Sequence, residues 1–108
     1  MHFLTGTDEH GQKVERSAQT NGLSPQSFSD QVSARFRSLA DKMGCSHNDF
    51  IRTTEARHKE GVQSLWRRLE DKGFIYKGSY DGWYSIRDEA FYQESELIDG
   101  KAPTGAEV

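Results

Sequence analysis

Apolar and polar positions divide the chain into strand-like and helix-like stretches. His2-Phe3-Leu4-Thr5 has strand character and runs into Gly6-Thr7-Asp8-Glu9-His10-Gly11. Residues 2–6 are therefore predicted as a short strand, with Gly6 and Gly11 bracketing a turn. Lys13 to Asn21 is predicted as a short helix capped by Gly22. A longer helix follows, with Ser24 at its N-cap and Pro25 at its first position. Phe28, Val32, Phe36, Leu39 and Met43 recur there at helical spacing and predict a core-facing stripe, and Gly44 ends it. At ~1.5 Å per residue that helix is about 28 Å long. Asp49 to Thr53 is predicted as a second strand. Thr54 is placed to cap a third helix, with Glu55 in its first turn and Val62, Leu65, Trp66 and Leu69 on one face, ending at Gly73.

This order of strand, helices, strand and helix is the rhythm of a parallel α/β sheet. After Phe74 the pattern changes. "FIYKGSYDGWYSI" is rich in aromatics, and Asp81-Gly82 between two strand-like runs predicts a hairpin turn there. The tail "DGKAPTGAEV" reads as loop.

Composition narrows the picture. The net charge of −3 argues against a polycation that seeks phosphate backbones. Apolar residues make up 33%, thin for a free-standing core. Cys45 is the single cysteine, which excludes an intrachain disulfide and fits a reducing compartment. No apolar run approaches the ~20 residues of a membrane span, and the first residues lack the pattern of a signal peptide. Two parallel strands are too few for a stable sheet. The chain is therefore expected to be a piece of a larger α/β enzyme, cut at both ends.

The candidate chemistry lies at residues 8–11. Ligands of open α/β sheets bind beyond the carboxyl ends of the strands, and Asp8 falls just past such an end. From spacing alone, Asp8 either meets a ligand or caps the next helix. His10 either donates to a substrate or braces the turn, and bracing is the default. Gly11 permits close backbone approach. Glu9 and Lys13 read as surface charges. His2, Asp8, His10 and His58 match no zinc spacing. Arg67, Arg68 and Lys72 form a basic cluster near a helix C-terminus, where a solvated face is the default.

"FLTGTDEHGQK", "ARFRSLADKMG" and "DFIRTTEARHKEGVQSLWRRLEDKGFIYKGSYDGWYSIRDEAFYQESEL", in this order, resemble the methionyl-tRNA synthetases of bacterial and mitochondrial type. The resemblance implies a class I synthetase with a Rossmann-type parallel sheet. Residues 1–73 would be part of its catalytic domain, and 74–108 the start of a β-rich connective-peptide insertion. The family's His-x-Gly-His and Lys-Met-Ser-Lys-Ser motifs do not occur in these residues. The carboxylate cluster then opens the chain because its scaffold lies upstream. Isolated, the segment is expected to be inactive. A non-catalytic binding or assembly module derived from the same fold is the rival reading.

The resemblance implies that Asp8 holds the ammonium of bound methionine, with His10 and Gly11 in the same motif. It implies ATP with Mg2+ and tRNA(Met) as further substrates, the rest of the synthetase chain as partner, and no membrane. The compartment implied is the cytoplasm, or the mitochondrial matrix in a eukaryote. Many relatives carry Cys-x-x-Cys knuckles in the insertion. The matching places here are Ser85 and Asp88, and Ala102 and Gly105, and none is a zinc ligand of the knuckle type. No zinc is expected. Tyr80, Trp83, Tyr84, Phe91 and Tyr92 should instead form the insertion's core, a reading favoured over base stacking.

Overall fold

The computed structural model describes residues 1–108. These form two compact units, Met1–Ile75 and Tyr76–Val108. No helix is long and apolar enough to cross a membrane.

The first unit runs β1 (Leu4–Thr7), α1 (Gln12–Thr20), α2 (Pro25–Lys42), β2 (Asp49–Arg52) and α3 (Ala56–Asp71). The two strands are parallel, with Leu4, Thr5, Gly6 and Thr7 opposite Asp49, Phe50, Ile51 and Arg52. A Cβ on Gly6 would stand 1.8 Å from the Ile51 carbonyl oxygen, so the strands can lie this close only with glycine there. Asn48 N–H donates to Phe3 O at 2.8 Å and Thr53 N–H to Thr7 O at 3.2 Å, so pairing continues past both ends of the ladder.

Helix α1 opens at Gly11, whose φ of 120° and ψ of 162° suit only glycine. No side chain caps it, so the capping role considered for Asp8 is not used. Helix α2 begins as expected: Ser24 Oγ accepts from Ser27 N–H at 3.2 Å and Pro25 takes the first position. Its stripe departs from expectation. The buried residues are Ser29 and Ser33, while Phe36, Leu39 and Met43 are exposed. Small serines let α2 lie close to β1, and a sheet of two strands is too narrow to cover the rest of the stripe. Helix α3 starts one residue later than expected, with Glu55 at the N-cap. It buries no residue, and Val62, Leu65 and Trp66 stay exposed. The core of this unit is Ala18 and Phe50. Arg37 stacks over the Phe50 ring at 4.8 Å and His47 meets it edge-on.

The second unit holds β3 (Trp83–Ser85) and β4 (Ala90–Tyr92), an antiparallel pair, followed by a short 3-10 turn at Glu94–Glu96. The Asp81-Gly82 turn predicted from the sequence is not formed. Residues 74–82 make no strand, and the hairpin turns at Ile86–Glu89, with Glu89 at φ 55°. Side chains hold that turn: Asp88 accepts from Tyr92 Oη at 3.0 Å and from Thr104 Oγ1, and Ser85 Oγ accepts from Asp88 N–H at 3.4 Å. These donors hold the Asp88 carboxyl below the usual range, Thr104 foremost. Gly82 lies beside β4, where a Cβ would stand 3.0 Å from Tyr92 O.

The tail, read as loop, contains a turn of its own. Asp99 and Gly100 both have positive φ, 51° and 74°, and Ile98 and Lys101 exchange two backbone hydrogen bonds. The aromatic core forms only in part. Phe91 packs on Tyr84 and Tyr80 with centroids 4.9 and 5.4 Å apart. Yet Phe91, Trp83 and Tyr80 are exposed, and the buried residues are Ser85, Ala102 and Ala106.

Candidate functional site

Parallel pairing of β1 with β2 brings two tetrapeptides side by side at the strand carboxyl ends. One is Thr7-Asp8-Glu9-His10, the other Arg52-Thr53-Thr54-Glu55. Polar residues crowd here because the backbone leaves the ladder and side chains must satisfy one another.

Glu9 is the centre of this knot, contrary to its expected place as a surface charge. It is 6% exposed. Oε1 accepts from Thr7 Oγ1 at 2.7 Å and from Arg52 Nε at 2.8 Å. Oε2 accepts from Arg52 Nη2 at 3.1 Å and from Thr54 Oγ1 at 2.5 Å. A carboxylate has about four acceptor sites, and here four donors meet them. Burial pushes the Glu9 carboxyl up, but the hydrogen bonds from Arg52, Thr54 and Thr7 outweigh it and the group titrates below its usual range. Arg52 also donates to Asp30 of α2 at 2.6 Å, and its guanidinium is correspondingly harder to deprotonate, with Glu9 the main cause. Thr7 Oγ1 lies 3.1 Å from Ser33 Oγ, which ties the knot to the buried face of α2. Thr54 is thus drawn to Glu9, which leaves the start of α3 to Glu55.

Asp8 has a different environment. It is exposed, and its Oδ1 lies 3.4 Å from Thr53 Oγ1. His10 is exposed too, with Nε2 3.2 Å from the Thr53 carbonyl oxygen. A carbonyl only accepts, so in this contact His10 donates a proton carried on Nε2. It is the bracing contact expected of His10. Gly11 follows in the glycine-only conformation already described. A cavity of about 70 Å3 joins Thr7, Asp8 and Glu9 to Val14, Phe28, Val32 and Phe36. The site thus offers an exposed carboxylate on a rigid floor, next to an apolar recess.

Lys13 is exposed, as expected. His2 and His58 do not join the cluster: no three His, Cys, Asp or Glu side chains gather as metal ligands anywhere in the chain. Ser85 and Asp88 adjoin through a hydrogen bond, and Gly105 N–H donates to Ala102 O at 2.7 Å. Arg67, Arg68 and Lys72 lie exposed at the end of α3. Sequence reasoning missed Arg52, Thr53, Thr54, Asp30 and Ser33. The available signal was "RTT" at the end of the second predicted strand, since parallel strands place such a triplet beside the first strand's own end.

Fold and site define a Rossmann-type parallel α/β segment with its polar cluster at the strand carboxyl ends. The family model for class I tRNA synthetases, the branch described as "tRNA synthetases class I (M)", matches residues 1–107, and the chain belongs to that family. It is 60% identical over 107 residues to a Methionine–tRNA ligase of Rickettsia felis, covering 98% of this chain and 21% of that protein. A probable mitochondrial methionine–tRNA ligase of Dictyostelium discoideum is 50% identical over 101 residues, covering 94% of this chain and 18% of that one. Among solved structures, Mycobacterium tuberculosis methionyl-tRNA synthetase bound by methionyl-adenylate superposes with a TM-score of 0.88 at 43% identity. That match covers 98% of this chain and 22% of the other. The chain spans about a fifth of the length of these relatives.

Proposed function

We propose that these residues work within a methionine–tRNA ligase and supply part of its methionine-binding pocket. In that reaction the methionine carboxylate attacks the α-phosphorus of ATP, which enters as its Mg2+ complex, and pyrophosphate leaves to give methionyl-adenylate. A terminal hydroxyl of tRNA(Met) then takes the methionyl group from the adenylate, and AMP leaves. Residues 1–73 contribute to the catalytic domain, and 74–108 begin the connective-peptide insertion, held without zinc. The rest of the synthetase chain packs against them, in the cytoplasm or mitochondrial matrix. The ligase names of the relatives favour this reading over a non-catalytic module.

Asp8 takes the substrate's ammonium, supported by His10 and Gly11. The observation that carries this is the contrast between neighbouring carboxylates. Glu9 is buried with four donors on it, whereas Asp8 faces solvent at a strand's carboxyl end. An ammonium brings three donors and a full positive charge, which suits a carboxylate so placed. Binding holds the substrate's carboxylate end in position for attack, and positioning of this kind is a large share of what such an enzyme contributes.

The test is Asp8→Asn in the full-length chain. Asparagine keeps the shape and loses the charge. A hydrogen bond to a charged group is worth roughly 1.5–3 kcal/mol, so kcat/KM for methionine should fall at least about tenfold. KM for ATP and the melting temperature should hardly move. Normal methionine activation by the variant rejects the ammonium role.

A further inference from the structure

Thr53 touches every residue of the Thr7–His10 tetrapeptide. Its N–H donates to Thr7 O at 3.2 Å. Its hydroxyl lies 3.4 Å from Asp8 Oδ1 and accepts from Glu9 N–H at 2.9 Å. Its carbonyl oxygen takes His10 Nε2 at 3.2 Å. Three of these partners are 43 to 45 residues away in sequence. From this geometry we propose that Thr53 is the positioning residue of the amino-acid site: its hydroxyl aims the Asp8 carboxylate at the substrate ammonium.

The chemistry of a hydroxyl fits the task. It has one proton and two acceptor lone pairs. The Glu9 N–H occupies a lone pair, and this orients the hydroxyl. Its single proton is then directed to the remaining partner, Oδ1 of Asp8. Oδ1 is thereby tied to the floor of the site, and the Asp8 carboxylate is held in one rotamer. The 3.4 Å separation is long for an O–H···O⁻ bond. Hydrogen bonds in unliganded sites are often long and shorten when substrate arrives. The anchor itself is rigid, because Arg52 and Thr54 on either side of Thr53 are both fixed to buried Glu9. The backbone supplies the contacts to Thr7 and His10, and the hydroxyl those to Asp8 and Glu9; serine keeps that hydroxyl and lacks only the methyl group, whereas valine keeps the shape and lacks the hydroxyl.

This inference rests on Asp8 being the ammonium ligand, so the test carries Asp8→Asn beside it. In the full-length chain, Thr53→Val keeps the shape and removes the hydroxyl, whereas Thr53→Ser keeps the hydroxyl. Thr53→Val should raise KM for methionine roughly tenfold, leaving KM for ATP within about twofold. Thr53→Ser should restore methionine KM to within about twofold of the parent. Should Thr53→Val fail to accumulate as folded protein, Thr53→Ala carries the same comparison. If Asp8→Asn raises methionine KM and the hydroxyl-deleting variant does not, the positioning role is wrong. Equal losses for methionine and ATP, in step with a lowered melting temperature, also overturn it, since that is the pattern of general destabilisation. If Asp8→Asn itself changes nothing, the ammonium reading fails, and the positioning role fails with it.

Discussion

Glutamine in place of Glu9 asks how firmly charge holds the ends of β1 and β2 together. The side chain keeps its length, loses its charge and gains an N–H2 group in a shell made of donors. The hydroxyls of Thr7 and Thr54 can rotate to accept, but Arg52 Nε and Nη2 cannot. Breaking a buried ion pair at one partner costs about 3–5 kcal/mol. The Glu9 side chain is 3% exposed, but that of Arg52 is 21% exposed and keeps Asp30 as a second partner. That access to water and to another carboxylate lowers the expected cost to about 2–3 kcal/mol. In the full-length chain ~1 kcal/mol corresponds to about 2–4 °C, so the melting temperature should drop by roughly 4–12 °C.

Thermal and urea unfolding followed by circular dichroism at pH 7 measures this directly. A double variant, Glu9→Gln with Arg52→Met, removes both charges and should be more stable than Glu9→Gln alone. The pH dependence gives a second check. The folded carboxyl sits below its ordinary value of 4.5. Its stabilisation is therefore complete above that value and is lost as pH falls through the folded pKa. The gap between parent and Glu9→Gln should accordingly narrow below about pH 4.5. A variant melting within about 1 °C of the parent at pH 7 would refute the claim that charge closes this site.

Other outcomes follow from the same geometry. Gly6→Ala should destabilise by more than ~3 kcal/mol, because its Cβ would stand 1.8 Å from Ile51 O and the strands must part; an unchanged urea midpoint would contradict this. Asp8→Asn should show its loss in methionine kinetics and not in the melting curve, as the capping position belongs to Gly11. The 108-residue chain alone should give no methionine-dependent ATP–pyrophosphate exchange, since no Gly-rich phosphate loop of the usual pattern occurs in it; measurable exchange refutes this. Metal analysis of the full-length chain, prepared without chelator, should find no stoichiometric zinc that depends on residues 80–105; such a zinc would overturn the view that packing holds the insertion.

The α2 start was legible because Ser24 and Pro25 act on their immediate neighbours. The parallel order of β1 and β2 was legible from the alternation of strands and helices. Glu9 was not, because its burial depends on Arg52 and Thr54, some 43 to 45 residues away. Thr54 shows the competition plainly: local preference made it a helix cap, and a buried carboxylate claimed it first. The two Asp-Gly pairs make the same point. Asp81-Gly82 and Asp99-Gly100 carry the same local signal, yet only the second forms the two-residue turn. Pairing of Trp83 with Tyr92 decides the matter for the first, since it places Gly82 beside β4 before the strand begins. The aromatic residues misled for a related reason. Their number predicted a core, but small Ser85, Ala102 and Ala106 fit its interior.

The closed shell around Glu9 also constrains how this sequence can change over generations. Losing the carboxylate first leaves the Arg52 guanidinium with Asp30 alone, and losing Arg52 first leaves a carboxylate of 3% exposure without its cation. Either single change costs stability that a paired change to apolar residues avoids, so positions 9 and 52, 43 residues apart, are expected to change together. Among related sequences an apolar residue at one should accompany the loss of charge at the other. Lineages that keep Glu9 should keep Arg52, whatever happens to Asp8 beside it.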